Sequence, residues 1–176
     1  LPDVVDRAAA EFAPIRQLLA KAVALFGPYP WGRRFDILVM PASFPYGGME
    51  NTTLTFITKG VIVGDRSMIE VIAHELAHAW FGNSITNATW LDFWLNEGWT
   101  VWAHLRIIEA VYGRDAAMLQ AALLLGEYHE HAKCFTARPE LTHLRGTIGS
   151  DDDPDLLGSR VPYVKGYLFL RRLEEQ

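Results

Sequence analysis

The string HELAH at residues 74–78 puts His74 and His78 four apart, inside a run whose apolar residues recur at helical spacing from Ser67 to Phe81. On a helix, positions i and i+4 share one face, with Cβ atoms about 5–6 Å apart. Two imidazole nitrogens there can converge on one ion at distances of about 2.0–2.1 Å. Glu75, about 100° further round, cannot easily join that set but can reach a water on the ion. The string alone also fits a helix that merely carries two imidazoles. A metal site needs a third ligand, and Glu97 in WLDFWLNEGW follows His78 by nineteen residues. That gap fits a helix end, a loop back and a second helix facing the first. Two histidines, a carboxylate and one open corner form the catalytic pattern for zinc, whereas structural zinc sites are closed and usually cysteine-rich.

Composition agrees with a catalytic site and closes other routes. Cys134 is the only cysteine, so no internal disulfide forms; its apolar context predicts a small buried hydrophobe. The chain has 176 residues, half of them hydrophobic, enough for one domain with a substantial core. The net charge of −5 without a basic run argues against nucleic acid and anionic membrane as partners. No apolar stretch approaches the roughly 20 residues of a membrane span. LPDVVDRAAA lacks an initiator Met and a signal-peptide core, and LFLRRLEEQ stops inside a helical pattern, so both ends suggest a piece of a longer protein. The expected compartment is the cytoplasm.

Residues 3–26 carry a helical rhythm, with Pro14 starting a second helix. FDILVM (35–40) reads as a buried strand and TTLTFIT (52–58) as a strand near a sheet edge, with loop at 41–51 between them. Helices are expected over about 67–81, 95–112 and 115–133, and a last one begins at 169. Residues 136–160, with GSDDDPD, read as a long surface loop whose acidic run lacks the spacing of a calcium loop.

Four motifs in order, GGMEN (47–51), HELAH (74–78), NEG (96–98) and the tyrosine of VPYVKG (161–166), resemble the zinc aminopeptidases of peptidase family M1, within the gluzincins. FPYGGMEN, FWLNEG and DPD followed by VPY look closest to its leukotriene A-4 hydrolase-like branch. The resemblance covers essentially the whole chain. It implies an α+β, thermolysin-like catalytic domain over residues 1–176, mainly helical, with a small mixed sheet at its N-terminal side. A helix-plus-sheet part (1–66) would carry GGMEN, and a helical part (67–176) the metal ligands, as a fragment of a larger multidomain enzyme.

The implied activity is release of N-terminal residues from peptides, with one zinc per chain held by His74, His78 and Glu97. Glu75 would serve as base and then acid, and the Tyr163 hydroxyl would hold the oxyanion. Glu50 would pair the free α-ammonium of the substrate, and the backbone of Gly47, Gly48 and Met49 would line its path as a strand edge does. Asp92 and Asn96 stand where they can orient the imidazoles or cap a helix. Phe44, Tyr46 and Phe93 can line the first side-chain pocket or belong to the core. His104, His129, His131 and His143 have no partner at ligand spacing and read as ordinary.

The chain departs from the family pattern in two places, with Val164 where a glutamate often follows the tyrosine and His104 where a glutamate often stands seven positions after the third ligand. Asp155 matches an aspartate implicated in epoxide hydrolysis, yet Gly158 replaces a nearby tyrosine. A gluzincin endopeptidase, a bifunctional aminopeptidase and epoxide hydrolase, and an inactive scaffold are the alternatives. The expected partners are a peptide with a free N-terminus and the other domains of the full-length protein.

Overall fold

The structure is a computed structural model that describes residues 2–147, 152–153 and 158–176. Helix α1 (Pro2–Glu11) and helix α2 (Ile15–Phe26) are separated by a turn that ends at Pro14, the residue directly before α2. On α2, Leu18 and Ala22 fall one turn apart on the inner face and are fully buried, and Gly27 with φ 93° ends the helix. The buried carboxylate of Glu11 accepts the backbone N–H groups of Gly64 and Arg66, both at 2.8 Å, and so fastens α1 to the loop that leads into the next helix.

Strand β1 (Asp36–Met40), strand β2 (Gly48–Met49) and strand β3 (Leu54–Thr58) form one sheet in the order β1-β3-β2. β1 runs parallel to β3 and β2 antiparallel to it. This corrects two expectations. TTLTFIT holds the centre of the sheet rather than an edge, burying Thr55 and Ile57 in strict alternation. FDILVM is a half-buried edge strand with Leu38 in solvent. A short β-branched run reads alike in both positions, because only its pairing partners distinguish centre from edge.

The core is helical. Helix α3 (Ile69–Ala77) buries Ile72, Ala73, Leu76 and Ala77 completely. It packs on helix α4 (Trp94–Tyr112), which is buried along much of its length, including Ile107 and Ile108. Each such aliphatic side chain contributes about 1.5–3 kcal/mol by leaving water. Phe26, Trp80, Phe81, Trp99 and Trp102 form an aromatic cluster where α2, α3 and α4 meet, with ring centroids 5.3–6.4 Å apart. Helix α5 (Arg114–Lys133) lies outside, burying Ala117 and Ala121. Cys134 follows it and is exposed, against the expectation of burial, because α5 ends at the surface.

The last stretch widens into one π-helical turn (Val161–Lys165) that runs directly into helix α6 (Gly166–Glu174). The acidic run is partly tied down, since Arg138 donates two bonds to Asp152 at 2.8 and 3.0 Å. No described helix is long and apolar enough to cross a membrane.

Candidate metal centre

His74 and His78 project from the last turn of α3 and Glu97 from the first turn of α4, and the packing of these two helices brings the three together. His74 Nε2 lies 3.2 Å from His78 Nε2, and Glu97 Oε2 lies 3.3 and 3.5 Å from the two nitrogens. A tetrahedral ion with bonds of about 2.0–2.1 Å spaces its ligands about 3.3–3.4 Å apart. The observed edges, from 3.2 to 3.5 Å, lie close to that spacing. Glu97 Oε2 is buried and makes no directed hydrogen bond, so its lone pairs are those a cation would satisfy. The donor set therefore fits a tetrahedral dication.

The charges point the same way. Burial would raise Glu97, but the facing His78 charge and the closeness of both imidazole nitrogens hold it down to about 2. Burial would lower His78, but the Glu97 carboxylate outweighs it and carries it to about 9, while burial keeps His74 below its ordinary value. Burial pushes the Glu75 carboxyl up to about 8, with Glu50 and Glu97 adding to the rise against His78. Three carboxyls thus share one small pocket with two imidazoles, a field that a dication neutralises.

Glu75 is 7% exposed and faces the sheet side, where β2 passes close beside it. A Cβ on Gly48 would overlap the Glu75 side-chain carboxyl, so a larger residue there displaces either the strand or the carboxylate. Glu50 follows in the same loop, and its carboxylate comes within 4.8 Å of the Glu75 carboxylate and a ring nitrogen of His78. The loop is held there by Asn83, whose side-chain amide donates to the Glu50 carbonyl at 2.7 Å. Gly47 accepts the Thr58 N–H, and Met49 pairs with Phe56, which leaves the opposite edge of β2 open.

Tyr163 sits on the π-helical turn, with its ring stacked on His74 at 6.1 Å and 24° and edge-on to Phe93 at 6.0 Å. Burial, with the Glu97 carboxylate, holds its hydroxyl protonated well above the ordinary value. It remains a donor throughout the physiological range. Phe44 and Tyr46 pack on one another and Phe44 on Phe56, over the β2 side of the sheet. Asp155 lies outside the described residues.

The outer contacts of the imidazoles differ from those expected. Asp92 accepts from Thr89 and pairs with Arg145, and the Asn96 carboxamide joins Asn87 and Thr86 in the preceding loop. Neither side chain reaches an imidazole. His78 Nδ1 instead meets the Phe81 carbonyl at 3.0 Å and Thr100 Oγ1 at 3.2 Å. His74 Nδ1 meets Nδ1 of His104 at 3.2 Å. His104 is buried, and burial holds it well below its ordinary value, so the reading of it as ordinary is corrected. Its seven-residue spacing from Glu97 puts it two turns along the same helix face, which is the signal in the sequence for this contact.

Residues 14–176 match the model of the peptidase family M1 domain. Mouse aminopeptidase B is 44% identical over 173 residues, 98% of this chain and 26% of that protein. Leukotriene A-4 hydrolase of Xenopus laevis is 43% identical over 98% of this chain and 28% of its own length. Among solved structures, yeast LTA4 hydrolase in complex with bestatin superposes with a TM-score of 0.92 at 38% identity, covering 97% of this chain and 27% of that one. The chain spans about a quarter of the length of these relatives.

Proposed function

The chain belongs to peptidase family M1, and from that premise we propose that it is the catalytic core of a zinc aminopeptidase that hydrolyses the N-terminal peptide bond. The observation that carries this reading is the buried triangle of His74, His78 and Glu97 with tetrahedral edges, beside two further carboxylates. His74, His78 and Glu97 would hold one zinc ion, which would supply Lewis acidity to a scissile carbonyl and to water at the site.

The protein residues supply the rest. Burial and the neighbouring carboxylates raise the Glu75 carboxyl to about 8; beside a dication, which favours its charged form, its carboxylate would take the proton of the attacking water and return it to the leaving amine. The Tyr163 hydroxyl, kept protonated, donates to the oxygen on which negative charge develops. The open edge of β2 lets an extended peptide lie along Gly48 and Met49 as an added strand.

Glu50 supports cleavage from the N-terminus rather than within the chain. A free α-ammonium buried beside Glu75 needs a carboxylate to pair with, and Glu50 is the half-buried carboxylate available there. A peptide with a free N-terminus is accordingly the proposed substrate class.

Metal analysis of the purified protein, followed by hydrolysis of free-amine and N-acetylated peptides with and without chelator, tests the proposal. The expected result is about one zinc per chain, chelator-sensitive cleavage and strong discrimination against the acetylated peptide that weakens in Glu50→Ala. Cleavage of both peptides with equal efficiency by the unmodified protein would identify an endopeptidase instead.

A further inference from the structure

Each metal-ligating imidazole needs Nε2 bare, so each must carry its proton on Nδ1. For His78 the partner is the Phe81 carbonyl, which can only accept. For His74 the partner is another imidazole nitrogen, His104 Nδ1 at 3.2 Å, and an imidazole nitrogen can donate or accept.

The two directions of this bond have different consequences. If His104 donates, His74 carries its proton on Nε2, the atom facing Glu97 and His78, and has no lone pair for an ion. If His104 accepts, His74 Nε2 is bare and His104 carries its own proton on Nε2. That second nitrogen is buried, with no hydrogen-bond partner among the described residues, in a side chain 4% exposed. A buried N–H left unpaired is unfavourable. The ligand-competent direction therefore strains the polar satisfaction of the core.

We propose that His104 is a positioning residue that accepts the Nδ1–H of His74, locks His74 in the tautomer that presents Nε2 to the metal, and tolerates an unpaired buried N–H to do so. The inference rests on the reading of His74, His78 and Glu97 as a metal site. It also gives the two histidines unlike supports. The Nδ1 proton of His78 is held by a backbone carbonyl that no substitution removes, whereas that of His74 depends on one side chain.

His104→Phe keeps a ring of similar size without an acceptor, and His104→Asn keeps an acceptor oxygen near the position of Nδ1. Zinc affinity is measured by chelator competition on the purified full protein, and melting in chelator reports the fold. His104→Phe is expected to bind zinc about 10–100-fold more weakly while melting no lower than the unmodified protein. His104→Asn is expected to stay within a few-fold of it. Nitrogen NMR of the zinc-loaded, histidine-labelled protein should show His74 protonated on Nδ1, and His104 protonated on Nε2 with Nδ1 bare.

Unchanged zinc affinity in a folded His104→Phe, or an equal loss in both variants, overturns the hydrogen-bonding role. A proton on His104 Nδ1 in the zinc-loaded protein overturns it as well, and that measurement stands even if a variant fails to fold. If the unmodified protein takes up no zinc in excess, the metal reading itself falls, and this inference with it.

Discussion

Gly98 and Gly166 meet backbone to backbone: a Cβ built on either one would lie 2.8 Å from the Cα of the other. Gly98 follows Glu97 on α4, and Gly166 opens α6 directly after the π-helical turn that carries Tyr163. Their contact sets how closely the tyrosine approaches His74 and Glu97. Neither backbone has room to yield, since the neighbouring atoms are themselves main chain.

Gly98→Ala or Gly166→Ala is therefore expected to push α6 and Tyr163 off α4. The expected loss is in kcat, with zinc content retained, and a misplacement near 1 Å can cost on the order of 100-fold. Wild-type kcat in either variant would show that the crossing tolerates a methyl group.

Tyr163→Phe removes the hydroxyl and keeps the ring stacked on His74. If the hydroxyl meets only the developing oxyanion, kcat falls about 100–1000-fold and KM changes little. Steady-state kinetics on one peptide checks this, and an effect confined to KM would assign the hydroxyl to substrate binding.

Gly48→Ala sets a methyl group against the Glu75 carboxylate. Either the carboxylate turns away or β2 shifts, and both spoil the geometry of proton transfer. Turnover should drop at least tenfold, with zinc affinity unaffected. A fully active Gly48→Ala would remove Glu75 from its assigned place.

Glu75→Gln should retain zinc and lose nearly all turnover. It also has a stability signature. Burial lifts the folded-state carboxyl to about 8 from 4.5, so the folded chain binds this proton more tightly than the unfolded one. The associated stability is complete below pH 4.5 and is lost as pH rises through 8. Glutamine escapes that loss. In chelator, Glu75→Gln should melt above the unmodified protein at pH 8, with the difference closing toward pH 4.5, where 1 kcal/mol corresponds to about 2–4 °C in a chain of this size. Melting curves at both pH values check this, and a difference that does not change with pH contradicts it.

The parts of the site legible in the sequence were those governed by local periodicity. The i, i+4 spacing of His74 and His78 forces one helix face, and the observed helices α4 and α5 begin and end within a residue of the expected bounds. Where pairing across the fold sets the outcome, the sequence was silent. The central place of β3 depends on β1 and β2 flanking it, and the exposure of Cys134 depends on where α5 leaves the core.

The donor types, their order along the chain and the helical phase that turns two imidazoles to one side were written in the residues themselves, because hydrogen bonding within a helix holds positions four apart in a set relation. The contacts between His74 and His104, Gly48 and Glu75, Asn83 and the Glu50 loop, and Gly98 and Gly166 follow instead from how separate elements cross. Such contacts turn on shifts of a few tenths of an ångström in packing, and no spacing along a single chain encodes them.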